Sequence, residues 1–211
     1  MTGCCARDYE RLFSGKQAAR GARRFRRRGL RGSAKELTVL AGDVRGASVL
    51  EVGGGVGGIE IDLLEAGAAE ATNVELASTY EAAAAELLDE RGLAGRVDRR
   101  IGDFVAAAGE IDPHDVVVLH RVVCCYPDLD ALLGAAADRT RRTLLLTYPQ
   151  DRLLVRLLVR AADRFLRARG STFQVYVHPV GRIEAVAAAH GLRPQARVRH
   201  GVAWESAVFA R

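Results

Sequence analysis

Apolar and polar positions along the chain fall into blocks of two different periods. Short apolar or β-branched runs at 47–52, 71–75, 97–101, 115–119 and 143–147 predict strands. Between them, stretches at 57–66, 77–91, 104–108 and 128–139 carry apolar residues at helical spacing. Strand and helix in alternation predict a doubly wound α/β sheet built from right-handed crossovers. After the fifth strand comes "DRLLVRLLVRAADRFLRARG", apolar on one side of a helix and arginine-rich on the other. It reads equally as a lid over a site and as a surface helix, and it is too polar to cross a bilayer. A helix at 180–190 follows, then two alternating runs, 192–199 and 202–209, joined at Gly201. They predict a terminal antiparallel β-hairpin and complete a seven-stranded sheet.

Upstream of the first strand, Tyr9, Leu12 and Phe13 recur at helical spacing, so residues 7–28 read as one or two amphipathic helices closed by Gly29 and Gly32. Their other face is the stretch "RGARRFRRRGLRG". Ser33 with Glu36 has the form of a capping box and predicts a helix through Leu40. The expected division is a basic helical arm or lid over 1–32 and one domain over 33–211, as suits a chain of 211 residues.

Charge sharpens this division. Residues 1–35 hold nine Arg and two Lys against Asp8 and Glu10, whereas the rest holds 20 Arg, no Lys and 24 acids. The excess positive charge of the chain therefore sits in the arm. It suits attraction to an anionic substrate or to nucleic acid, and equally a solvated helix face in an arginine-favouring sequence. Apolar runs stop well short of the roughly 20 residues of a membrane span. "MTGCCARDYE" lacks the apolar core of a secretory signal, so a cytoplasmic location and reduced cysteines are expected.

The densest chemical signal is "VLEVGGGVGGIEIDLL", residues 49–64. Gly53, Gly55 and Gly58 fit the G-x-G-x-x-G of dinucleotide folds. Glu51, Gly53, Gly55 and Gly57 fit the acid-x-G-x-G-x-G of S-adenosylmethionine enzymes. In both, glycines let backbone approach a ligand, and Glu75 at the end of the second strand takes ribose hydroxyls. Features outside the loop separate the two. No lysine follows Lys35, so a Tyr-x-x-x-Lys pair for hydride chemistry is missing. Asp103 and Phe104 in "IGDF" put an acceptor beside an apolar wall, which suits an adenine amine and ring. The terminal hairpin departs from a purely parallel sheet.

On these residues the stretch 33–211 resembles the class I S-adenosylmethionine-dependent methyltransferases, whose fold is a Rossmann-like sheet. The resemblance implies S-adenosyl-L-methionine as cofactor. It implies Gly53, Gly55 and Gly57 as the loop cradling the methionine moiety, Glu51 as its leading acid, Glu75 as the ribose acid, and Asp103 with Phe104 at the adenine. His120 at the end of the fourth strand joins the cofactor contacts.

"DVVVLHRVVCCYPD" after that strand lacks the Asn or Asp with Pro-Pro-Tyr of base-amine methyltransferases, and its Cys-Tyr-Pro order is not the Pro-Cys of cytosine-C5 enzymes. Nucleic-acid amines are therefore not the expected substrate. The order of "VVCCYPD", "TLLLTYP", a long helix, "STFQVYVHP" and "AHGL" is similar to that of magnesium-protoporphyrin O-methyltransferases, which also carry a helical arm. That family has a histidine before Tyr-Pro, where this chain has Cys125, which leaves another organic acid or hydroxyl compound as an equal candidate.

The expected reaction is methyl transfer to an oxygen of a small anionic or aromatic molecule. A carboxylate, of pKa about 4, needs only cationic anchoring from Arg121 or the arm, whereas a phenol, of pKa about 10, needs a base. His120, Tyr126 and His178 are the catalytic candidates, and Arg121, Cys125, Tyr126, Tyr176 and His178 the substrate contacts. A nucleic-acid-binding methyltransferase using the basic arm and a non-catalytic cofactor-binding scaffold are the alternatives. Cys4, Cys5, Cys124 and Cys125 lack C-x-x-C spacing, so no metal is expected.

Overall fold

The computed structural model describes residues 13–211. Cys4, Cys5, Tyr9 and Leu12, which entered the metal and arm readings, lie outside the described residues.

Seven strands form one mixed sheet: β1 (Ser48–Val52), β2 (Glu70–Glu75), β3 (Val97–Ile101), β4 (His114–His120), β5 (Thr140–Pro149), β6 (Arg193–His200) and β7 (Trp204–Ala210). Their order is β3-β2-β1-β4-β5-β7-β6. The first five pair in parallel, and β7 runs antiparallel between β5 and β6. Central strands β1, β4 and β5 are almost continuously apolar because helices cover both faces, burying Leu50, Val117 and Leu144 on one side and Val49, Val118 and Leu145 on the other. Strand β5 extends well past the predicted 143–147, since β7 pairs with it from Thr143 to Pro149. Strand β6 lies at the edge, where Pro194 removes no needed ladder bond and the register slips between Pro194 and Ala196.

Eight α-helices are described: α1 (Gly15–Arg28), α2 (Ser33–Leu40), α3 (Gly58–Glu65), α4 (Glu81–Glu90), α5 (Phe104–Ala107), α6 (Leu129–Asp138), α7 (Leu153–Ala168) and α8 (Val180–Ala189). Leu132, Leu133, Ile183 and Val186 from α6 and α8 cover one face of the sheet, with Phe104. Phe25, Leu37, Ile61, Leu64 and Leu87 from α1 to α4 cover the other. Helix α1 is thus packed rather than extended. Ala18, Ala22 and Phe25 are its buried line, and Arg26 pairs with Glu86 and Glu90 on α4.

The predicted capping box does not form. Gly32, not Ser33, occupies the N-cap of α2, and the Ser33 hydroxyl turns inward to His120 instead of capping its own helix. A buried imidazole in reach outcompetes a solvated backbone amide.

Candidate functional site

The carboxyl ends of the parallel strands open into a cleft of two lobes, as expected where strand order reverses about β1 and β4. One lobe, of about 230 Å³, is bounded by Gly55, Glu75, Tyr80, Asp103, Phe104 and Tyr126. The second, of about 260 Å³, is bounded by Arg24, Arg31, Ser33, Glu51, Gly54 and Val56. Gly53, His120 and Arg121 border both.

The glycine loop explains itself residue by residue. Gly53, Gly55 and Gly57 have φ of 65°, 59° and 78°, a region costly for any side chain. Gly58 has ordinary φ, and a Cβ there would sit 3.1 Å from Leu30 and 3.3 Å from Phe25, so it serves close packing of α1. The left-handed set is therefore that of the acid-x-G-x-G-x-G pattern. Gly54, in neither pattern, is equally constrained, because a Cβ would strike Asn73 Nδ2 and come within 2.7 Å of Glu51 Cδ.

Glu75 is oriented by backbone. Its Oε2 accepts the Gly55 N–H at 2.8 Å and its Oε1 accepts the Ala77 N–H at 2.8 Å. Each carboxylate oxygen has a second lone pair, so the group can take two further hydroxyl donors from the cleft it lines. Asp103 caps α5 by accepting the Val105 N–H at 3.0 Å, and the Tyr126 hydroxyl donates to its carboxylate at 3.3 Å. Burial and the Asp103 charge push the Tyr126 phenol up to about 12, so it stays a neutral donor. Phe104, 4% exposed, backs this corner.

Beneath the loop lies a buried polar network. Glu51 Oε2 accepts the Glu60 N–H at 2.9 Å, Asn73 Nδ2 donates to Glu60 Oε2 at 2.6 Å, and Arg99 donates to Glu60 at 3.2 Å, Glu81 at 2.7 Å and the Gly55 carbonyl at 3.0 Å. Burial, then the neighbouring Glu60, raises Glu51 well above the usual carboxylate range. Burial also lifts Glu60 to about 7 against the pull of Arg99. Glu51 thus acts on the start of α3 from below the loop, and Gly57 does not border the first lobe.

Between the lobes, His120 Nε2 lies 3.0 Å from Ser33 Oγ. Burial, then Arg121 and His200, lowers it to about 4, so it is neutral at pH 7. Arg121, with φ 61°, is the sole left-handed non-glycine among the described residues. Its guanidinium donates to Ser33 Oγ at 3.2 Å and lies 4.4 Å from the centroid of the Trp204 ring. Among the described residues no carboxylate lies within ion-pair distance of Arg24, Arg31 or Arg121, whereas Arg26, Arg99, Arg182 and Arg197 each have one.

The Cys124 and Cys125 sulfurs are 3.7 Å apart, and both lie over the Arg121 carbonyl. The contact with Cys125 and burial raise the Cys124 thiol, which makes it a poor nucleophile. Cys125 borders the first lobe. Tyr176 and His178 do not border either lobe. Their rings stack at 5.8 Å, the Tyr176 N–H donates to the Cys124 carbonyl at 2.7 Å, and His178 Nε2 lies 3.3 Å from the Tyr126 carbonyl. They brace the 124–126 turn from outside. Among the described residues no group of three or more His, Cys, Asp or Glu is placed to hold a metal ion.

Sequence reasoning missed Gly54, Glu60, Asn73, Arg99, Tyr80, Ser33 and Arg24. Glu60 carried a usable signal, a carboxylate between Ile59 and Ile61 at the start of a helix. Arg24 carried none, since it stands in a stretch where most residues are arginine.

No protein-family model and no curated protein sequence matches the chain. Solved structures do. The magnesium protoporphyrin IX methyltransferase of Synechocystis PCC 6803 with bound SAH superposes at TM-score 0.70 and 17% identity, over 97% of each chain. The O-methyltransferase family 2 protein of Planctomyces limnophilus DSM 3776, in complex with apigenin, gives 0.70 at 16% identity over 97% of this chain and 64% of that one. A putative RNA methyltransferase of Pyrococcus horikoshii gives 0.59 at 21% identity, over 85% and 81%. The chain thus has the fold of the S-adenosylmethionine-dependent methyltransferases.

Proposed function

We propose that the protein transfers the methyl group of S-adenosyl-L-methionine to an oxygen of a small organic acceptor, in the first instance a carboxylate. The observation that carries this reading is the meeting of the left-handed Gly53 and Gly55, the backbone-oriented Glu75 and the Asp103–Tyr126 pair in one cleft at the strand ends. The donor set fits the cofactor: Glu75 for ribose hydroxyls, Asp103 beside Phe104 for adenine, and bare loop backbone for an amino-acid tail. Glu51 and Gly57 then serve by fixing the loop, and Tyr176 and His178 by positioning the turn that carries Cys125 and Tyr126.

When bound, S-adenosylmethionine supplies a methyl carbon made electrophilic by its sulfonium. The protein's own task is to hold an acceptor oxygen in line with that carbon and to keep water out. A carboxylate of pKa about 4 arrives ionised and needs no base. Arg121 and Arg24 offer it cationic anchoring, with Ser33 and His120 alongside. A phenol of pKa about 10 asks for a base, and His120, held at about 4, is a weak one. His178 does not border the cleft. A carboxylate is therefore better supported than a hydroxyl.

The test is incubation with methyl-labelled cofactor and a panel of porphyrins, aromatic acids and aliphatic acids. Label released as methanol by mild alkali identifies an ester and a carboxylate acceptor. Alkali-stable label on a hydroxyl compound moves the reading to a hydroxyl, and cofactor binding without any turnover leaves a scaffold. Labelled RNA that dissociates steeply with salt would favour the basic arm as a nucleic-acid contact.

A further inference from the structure

Helix α7 presents a surface that neither the core nor the cleft uses. Of its 16 residues only Val155 and Asp163 are buried. Leu153, Leu154, Leu157, Leu158 and Phe165 stand 72%, 58%, 50%, 56% and 57% exposed, five of the eight large apolar side chains exposed among the described residues. At 100° per residue they share one arc of roughly 140°. Arginines border that arc. Arg156, Arg160 and Arg167 run along one edge, Arg164 stands just inside that edge, and Arg169 closes the other, its guanidinium 4.4 Å from the centroid of the Phe165 ring. Acidic residues are few here. Asp151 pairs with Arg156, and the buried Asp163 accepts the Val175 N–H.

We infer that α7 docks on the surface of an anionic lipid bilayer, lying in its plane with the leucine face among the acyl chains and the arginines at the headgroups. Three observations choose this occupant. The face is mostly aliphatic, its one charged group, Arg164, standing near the arginine edge, so it offers little for a protein partner to match by hydrogen bonding. Long arginine stems along its edge reach past the apolar face to a charged plane, as interfacial helices require. A second copy placed on the same face by a twofold axis would set these arginine rows against each other with few acids to offset them. The helix is about 24 Å long, and no described helix is long and apolar enough to cross a membrane, so it lies on the bilayer. The segment that follows it leads to Tyr176 and the cleft wall, so docking would set the cleft beside the lipid surface.

Flotation of the intact protein with phosphatidylcholine vesicles, with and without phosphatidylserine, tests this without any methyl transfer. Binding is expected to the phosphatidylserine vesicles and to fall as salt rises. L154E/L158E, both on exposed positions, should abolish it with an unchanged melting curve. R160Q/R164Q should weaken it about thirtyfold, at about 1 kcal/mol for each arginine near the surface. Failure to bind anionic vesicles overturns the inference, as does binding indifferent to L154E/L158E. A dimer that L154E/L158E splits overturns it too, the face then belonging to a second copy.

Discussion

Replacing Glu60 by Gln should flatten the dependence of stability on pH. Glu60 is fully buried under the glycine loop, and burial lifts its carboxyl from 4.5 to about 7 in spite of Arg99. At about 1.4 kcal/mol per pH unit, that displacement amounts to about 3 kcal/mol. The unfolded chain releases this proton near pH 4.5, while the folded chain keeps it to about 7. Between those values the folded state holds more protons, so stability falls as pH rises through the window and levels off above it. Glu51 repels the same charge, and the two titrate as a pair. Gln keeps the shape and the oxygen that accepts from Asn73, with no proton to lose. In urea unfolding at pH 5 and pH 8, the wild type should lose about 2–3 kcal/mol more than E60Q, since pH 5 already lies inside the window. In melting temperature that is roughly 4–12 °C for a chain of this size. Equal pH dependence of the two proteins, within about 0.5 kcal/mol, would refute the reasoning and mean that Arg99 keeps Glu60 ionised throughout.

Glu75→Ala removes two carboxylate acceptors for ribose hydroxyls, each worth about 1.5–3 kcal/mol, and should weaken S-adenosylhomocysteine by at least about a hundredfold in calorimetry. Gly54→Ala drives a methyl against Asn73 and Glu51 and should cost roughly 1–3 kcal/mol in urea unfolding. Arg121→Gln should raise KM for a carboxylate acceptor about tenfold while the S-adenosylhomocysteine Kd moves less than about threefold. With a carboxylate acceptor, kcat should be flat from about pH 6 to 9, because His120, at about 4, is neutral across that range. A rise along that interval in stopped turnover assays would reveal a titrating base.

The alternation of apolar blocks was enough to read the sheet, because the central strands β1, β4 and β5 are covered on both faces and must be mostly apolar. The terminal hairpin was legible from its two-residue alternation around Gly201, but not the insertion of β7 between β5 and β6, which depends on long-range pairing. The capping box misled because Ser33 has two possible partners and sequence shows only the local one. In the site, Gly53, Gly55, Glu75, Asp103 and Tyr126 follow strands in order and could be found by spacing. Arg24 and Arg31 reach the cleft only because α1 folds back through Phe25, and Glu60, Asn73 and Arg99 meet only when α3, β2 and β3 are stacked. Tyr176 and His178 were grouped with the site by order along the chain, yet they stand behind its wall.

The central claim is that this cleft holds S-adenosylmethionine, and calorimetric titration of the intact protein with S-adenosylmethionine, S-adenosylhomocysteine and NADH tests it most directly. Micromolar binding of the first two and none of NADH is the result predicted. Binding of NADH alone would contradict it and give the loop at Gly53 to Gly58 to a dinucleotide.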